Sequence, residues 1–234
     1  DMEQVMGMTE GARYSVIGFD STATKQLPLT TDAGAARAWI DTLATEPTSY
    51  SKGSNVDRAL TSLLVEISEA RSEDPDSSVL VYFLSDGENT DEQESESFSQ
   101  ASGFIDGGAV LGYGTAEGGP MKAQGGEDDG EYITGPDGQQ GISSIDEPQL
   151  QTIAGEMGVP YLHRDDPEVE IEGTMEGIDL QPVPIESRRG VASFEDWYWA
   201  AAIPLTALLI WELGEMTYRL PRKLDRYDVS GAQR

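Results

Sequence analysis

Six consecutive apolar residues, Val79-Leu80-Val81-Tyr82-Phe83-Leu84, run between polar flanks and end at Ser85-Asp86-Gly87-Glu88. An apolar run without alternation predicts a strand covered on both faces, and so a mostly parallel sheet with helices on either side. The rest of the chain supplies the helices. Val56 to Ala70 places Val56, Ala59, Leu60, Leu63, Leu64, Ile67 and Ala70 at helical spacing, with Ser54 at the start of that helix. Ala33 to Leu43 puts Ala36, Trp39, Ile40 and Leu43 on one face behind Asp32, a suitable N-cap. Pro148 and Gly158 bracket Leu150, Ile153, Ala154 and Met157 as start and stop signals. Glu92 to Ile105 predicts a weaker helix with an acidic first turn. Val159–His163 predicts a further strand, and the expected fold is a doubly wound α/β sheet.

Two residues stand where such a fold keeps its ligands. Asp86 follows the carboxyl end of a buried strand, the edge at which open α/β sheets bind. Ser54, in Gly53-Ser54-Asn55-Val56-Asp57, opens a helix. A hydroxyl and a carboxylate are hard oxygen donors suited to Mg²⁺ or Mn²⁺. Taken singly, a serine there is an ordinary cap and Asp-Gly an ordinary turn. Asn55 and Asp57 flank the site and are not assigned as ligands.

In combination these residues resemble the von Willebrand factor A (VWA) domain, and Tyr14–Phe19, Lys25–Asp32 and Ala109–Gly114 look like its second, third and fifth strands. That family's metal-ion-dependent adhesion site uses an Asp-x-Ser-x-Ser turn, a Thr or Ser opening a later helix, and the Asp of a strand-terminal Asp-Gly. Leu27-Pro28-Leu29-Thr30-Thr31-Asp32, the stretch from Gly114 to Pro120, and Gly135-Pro136-Asp137-Gly138 leading to Ile153-Ala154 are similar to the membrane-anchored Bat-type (aerotolerance-associated) members. The resemblance implies that Ser54 and Asp86 ligate Mg²⁺ or Mn²⁺, Asp86 directly or through water. It also implies that a carboxylate of a protein partner fills the open coordination position, and that the protein associates with a MoxR-type AAA+ ATPase in envelope maturation or stress tolerance. The Asp-x-Ser-x-Ser turn itself is missing. Asp20-Ser21-Thr22-Ala23-Thr24 mimics it but joins two extended segments, which predicts a hairpin tip. Residues 1–10 already read as the helix after that turn, and Asp1 is preceded by no Met, signal peptide or apolar run. The expectation is the C-terminal portion of a longer protein, with the family's first strand absent from between Tyr14–Phe19 and Val79–Leu84. Those two strands should therefore not pair with each other.

Composition removes other classes. The net charge is −28, with 10 basic and 39 acidic side chains in residues 1–196 against 5 and 4 in residues 197–234. Such a field repels nucleic acid and anionic surfaces, so nucleic acid is excluded as a partner of the acidic part. There is no cysteine for a thiolate site or a disulfide. His163 is the only histidine, and no nucleophile elbow or phosphate-cradling glycine loop accompanies it, so no enzyme is expected. The acidic, glycine-rich stretch Gly118 to Gly141 reads as a solvated flexible loop. Its Glu127-Asp128-Asp129 fits no calcium-loop spacing.

Trp197 to Trp211 carries no charge and is flanked by aromatics. Fifteen helical residues span about 22 Å, so extension to Met216, past Glu212 and Glu215, is needed to approach a bilayer core. A transmembrane helix over 197–216 is expected, with its two carboxylates at an interface or against other transmembrane helices. Arg219, Arg222, Lys223 and Arg226 outnumber Arg188 and Arg189, which places the C-terminus in the cytoplasm and the VWA-like domain outside. The expected layout is an N-terminally incomplete VWA domain over 1–164, a polar linker over 165–196, the membrane helix over 197–216 and a basic tail over 217–234. Two functions from different classes fit this layout. One is a membrane-tethered module for metal-dependent protein binding. The other is a structural accessory subunit of a membrane complex with a degenerate metal site.

Overall fold

In the computed structural model the first two strands, β1 (Tyr14–Phe19) and β2 (Ala23–Thr30), form an antiparallel hairpin. Its tip is the Asp20–Thr22 turn, where the Thr22 amide donates to Asp20 Oδ1 at 3.0 Å. The mimic of the metal-binding turn is thus a hairpin tip, as the sequence predicts. The apolar run becomes β3 (Leu80–Ser85), which pairs in parallel with β4 (Gly107–Gly112). Two minor strands, β5 (Gly119–Pro120) and β6 (Ile142–Ser143), pair antiparallel, and β7 (Tyr161–His163) joins β4 in parallel. The structure describes residues 1–234 except 45, 52, 92, 126–128, 136–137, 167–168, 170, 176, 179, 181–197 and 225–234.

Helices cover both faces of the parallel sheet. Alternate β3 residues Val81 and Phe83 face a core with Leu60 and Ile67 of α3 (Leu60–Glu73) and Leu150 and Ile153 of α4 (Glu147–Met157). Tyr82 and Leu84 turn the other way, toward Val5 and Met8 of α1 (Met2–Met8) and the fully buried Ile171. The remaining helix of this unit, α2 (Ala33–Asp41), starts at Asp32, whose carboxylate caps the Ala35 amide at 3.0 Å. Asp146 caps α4 in the same manner, and Gly158 ends it in the left-handed conformation that a Cβ disfavours.

The sheet is split. Among the described residues β1 pairs only with β2, and β3 only with β4, so Tyr14–Phe19 and Leu80–Ser85 belong to separate sheets. The fold class is accordingly mixed α/β with a three-stranded parallel sheet, β3-β4-β7, beside an unjoined hairpin.

Three expectations need correction. Glu92 to Ile105 forms no α-helix; it makes two short 3₁₀ turns, Phe98–Gln100 and Ser102–Phe104. Serines 95, 97, 99 and 102 bond to side chains or nearby backbone carbonyls, and the fully buried Phe98 anchors the stretch, so local capping wins over helix propagation. The acidic Gly118–Gly141 stretch is a small antiparallel meander. Its backbone bonds run from Met121 to Gly141 and from Ala123 to Glu131, and the Thr48 amide donates to the Gln124 carbonyl at 2.9 Å.

Residues from 165 onward do not start a linker, because Ile171 lies under the sheet and Thr174 shares a 3.0 Å hydrogen bond with the Tyr82 hydroxyl. The first compact unit spans Asp1–Pro184, and most of the remaining linker lies outside the described residues.

The second unit contains α5 (Tyr198–Leu224). Among the described residues no helix is long and apolar enough to cross a membrane; the span expected over 197–216 begins at a residue outside them. The helix does expose apolar residues all round, among them Ile203, Leu205, Leu209 and Trp211. The basic residues Arg219, Arg222, Lys223 and Arg226 have side chains outside the described set.

Candidate functional site

Both sequence-predicted site residues line one cleft, of about 1960 Å³, that opens between the hairpin and the parallel sheet. Asp86 sits one residue past β3, held by a turn in which its Oδ1 accepts from the Glu88 amide at 3.1 Å. Its carbonyl accepts from the Asp146 amide at 2.8 Å, which ties the end of β3 to the start of α4. Ser54 lies two residues before the 3₁₀ turn Val56–Ala59 that leads into α3. It is not the cap of that turn. Asn55 is, accepting from the Asp57 amide at 3.2 Å.

A loop after β3 fixes Ser54 in place. The Ser54 amide donates to Thr90 Oγ1 at 2.7 Å, the Thr90 amide returns a bond to the Ser54 carbonyl at 2.8 Å, and the two hydroxyl oxygens are 3.4 Å apart. The Val56 amide donates to Asn89 Oδ1 at 3.0 Å. Asn55, only 1% exposed, works from both ends of its amide. Its nitrogen donates to Asp91 Oδ1 and the Gln93 carbonyl, and its oxygen accepts from Ser95 and Asp57. Arg58 ion-pairs with Asp91, whose side chain is nearly buried. The Gln93 amide, the Asn55 amide and Arg58 together hold the Asp91 carboxyl below its ordinary pKa. Asn89, Thr90 and Asp91 are therefore part of the site's framework, a role the sequence reading did not assign. The Asn-Thr-Asp cluster so soon after Asp-Gly was the available signal, since such side chains cap backbone amides.

The donors fit a hard divalent cation in kind, with a hydroxyl and a carboxylate on one rim. In number they fall short of its shell of six or more oxygens, and among the described residues no group of three or more His, Asp or Glu side chains could hold a metal. At the neighbouring strand end, His163 lies between Glu147, paired with Nδ1, and Asp165, 2.7 Å from Nε2. The bond to Glu147, with the charge of Asp165, raises the His163 pKa above its usual value. That position is an ion-paired link between β7 and α4.

No family model matches the chain, and no curated relative matches it. Solved structures do. An aerotolerance-related membrane protein from Bacteroides fragilis, carrying multiple mutations to serine, aligns with a TM-score of 0.55 at 22% identity, over 70% of this chain and 79% of that one. The conserved hypothetical protein BatB from Bacteroides thetaiotaomicron aligns with a TM-score of 0.54 at 24% identity, over 70% of this chain and 77% of that one. The α/β unit of this chain has the fold of these two Bat-related proteins.

Proposed function

We propose that this chain is a membrane-associated, VWA-like interaction module of the Bat type, whose Ser54–Asp86 rim contributes to a Mg²⁺ or Mn²⁺ site that captures an acidic side chain of a protein partner. The observation that carries the reading is that Ser54 and Asp86, 32 positions apart in sequence, both line the cleft, Asp86 just past the carboxyl end of β3. In this reading Ser54 offers its hydroxyl, and Asp86 its carboxylate, directly or through water. Thr90 holds the serine's backbone, and Asn89 that of Val56 two residues on. A bound cation would supply an electrophilic position for a carboxylate, and no catalytic residue is assigned. The likeness to Bat-type proteins extends the proposal to a MoxR-type AAA+ ATPase as partner. The apolar surface of α5 supports attachment to the membrane or to other membrane helices.

A second reading, a structural accessory subunit with a degenerate metal site, is favoured by the small number of donors among the described residues. Calorimetric titration with Mg²⁺ separates the two. The module predicts weak saturable binding, in the millimolar range because the donor set is sparse, which Asp86→Ala abolishes while circular dichroism is unchanged. Equal heats from wild type and Asp86→Ala would leave the structural subunit.

A further inference from the structure

The described basic side chains of the acidic part hold elements together rather than neutralise the surface. Residues 1–196 contain 10 basic side chains against 39 acidic ones, and Lys52, Arg188 and Arg189 lie outside the described residues. Of the other seven, five form ion pairs. Arg13 meets Glu73 at the end of α3 at 2.9 Å, and Lys25 of β2 meets Glu66 of α3. Arg58 meets Asp91, Arg71 meets Asp106, and Arg164 meets Asp1 at 2.6 Å. Lys122 lies over the Tyr132 ring, 5.5 Å from its centroid. Among the described residues of this stretch, only Arg37 is left as an exposed cation without such a contact.

The carboxylates outside those pairs face water. Asp41, Asp76, Glu94, Glu117 and Glu131 are exposed, are spread over the first unit, and join no ion pair among the described residues. Asp41 also ends α2, where the helix dipole disfavours an anion. Salt acts unequally on these two populations. Exposed like charges repel over the Debye length, about 8 Å at physiological ionic strength and about 3 Å at 1 M. The Arg164–Asp1 pair, with side chains 3% and 5% exposed, is kept from solvent ions and is screened far less. Raising salt therefore weakens the repulsion that opposes the compact state and spares the buried contacts that hold it. Net stability is a small difference between large terms, so that repulsion decides how far the fold persists.

We propose that the stability of this fold depends on molar monovalent salt. Hydrated K⁺ or Na⁺ gathered around the surface carboxylates supplies the countercharge that the chain's own basic residues do not. This shell is diffuse. It is distinct from the coordinated divalent cation at Ser54 and Asp86 and does not require it.

The test is thermal unfolding of the full chain in a non-ionic detergent, followed by circular dichroism from about 0.1 M to about 2 M KCl. Sucrose at matched osmolality serves as the uncharged control. A variant with Asp41→Asn, Asp76→Asn, Glu94→Gln, Glu117→Gln and Glu131→Gln is measured beside wild type. The wild-type midpoint should rise by about 10 °C or more across the KCl range, and by less than half as much in sucrose. The variant should unfold at a higher temperature than wild type in the dilute salt and converge with it in the concentrated salt. A midpoint that stays flat or falls with KCl would overturn the proposal. So would an equal rise in sucrose, or a variant less stable than wild type in the dilute salt.

Discussion

Asn55 is the residue on which the site's geometry depends. Its four amide hydrogen bonds reach Asp57 beside it and Asp91, Gln93 and Ser95 some forty positions later, and they press the post-β3 loop against the start of α3. Asn55→Ala would strand several of these partners in a nearly dry environment, so a loss of about 2–3 kcal/mol in urea unfolding is expected. Mobility of Ser54 should rise with it, read as increased amide exchange at Ser54 and Thr90. Asn55→Ala with wild-type stability would contradict the framework role. The places of Ser54 and Asp86 in the fold were legible in the sequence because each sits at the end of a strongly patterned element. Asn55, Asn89 and Thr90 were not, because side-chain caps between segments more than thirty residues apart leave no periodic trace.

Elements with a continuous or periodic apolar pattern appear where the sequence places them: β3, β4, α2, α3 and α4 differ only at their ends. The stretch from Glu92 to Ile105 had three apolar positions and many serines, and the serines' local bonds to side chains and backbone overruled a helix. The meander over Gly119–Ser143 had no apolar alternation to betray it, since backbone bonds and the Thr48 contact hold it. One junction between elements should respond to pH. His163 on β7 pairs with Glu147 at the start of α4 and with Asp165, which raises its pKa in the folded protein. A raised folded pKa means that the stabilisation is complete below the unfolded value, about 6.5, and disappears as pH rises through the folded one. His163→Gln should therefore lower the thermal midpoint at pH 6 and converge with wild type toward pH 9. A deficit that grows with pH would show that the imidazole is held neutral.

At the scale of the molecule three features stand out: a net charge of −28, a sheet split in two, and the apolar surface of α5. The α/β architecture was legible because alternating strand and helix patterns dictate it. The split was foreseen only through resemblance. The proposed site requires a divalent cation held at Ser54 and Asp86 rather than attracted diffusely by a chain of net charge −28. Paramagnetic broadening of backbone amide signals by substoichiometric Mn²⁺ tests this most directly. The account predicts broadening centred on Ser54, Asp86 and Thr90 that disappears in Asp86→Ala. Broadening centred instead on acidic stretches such as Glu94–Glu96, and unchanged by Asp86→Ala, would contradict it.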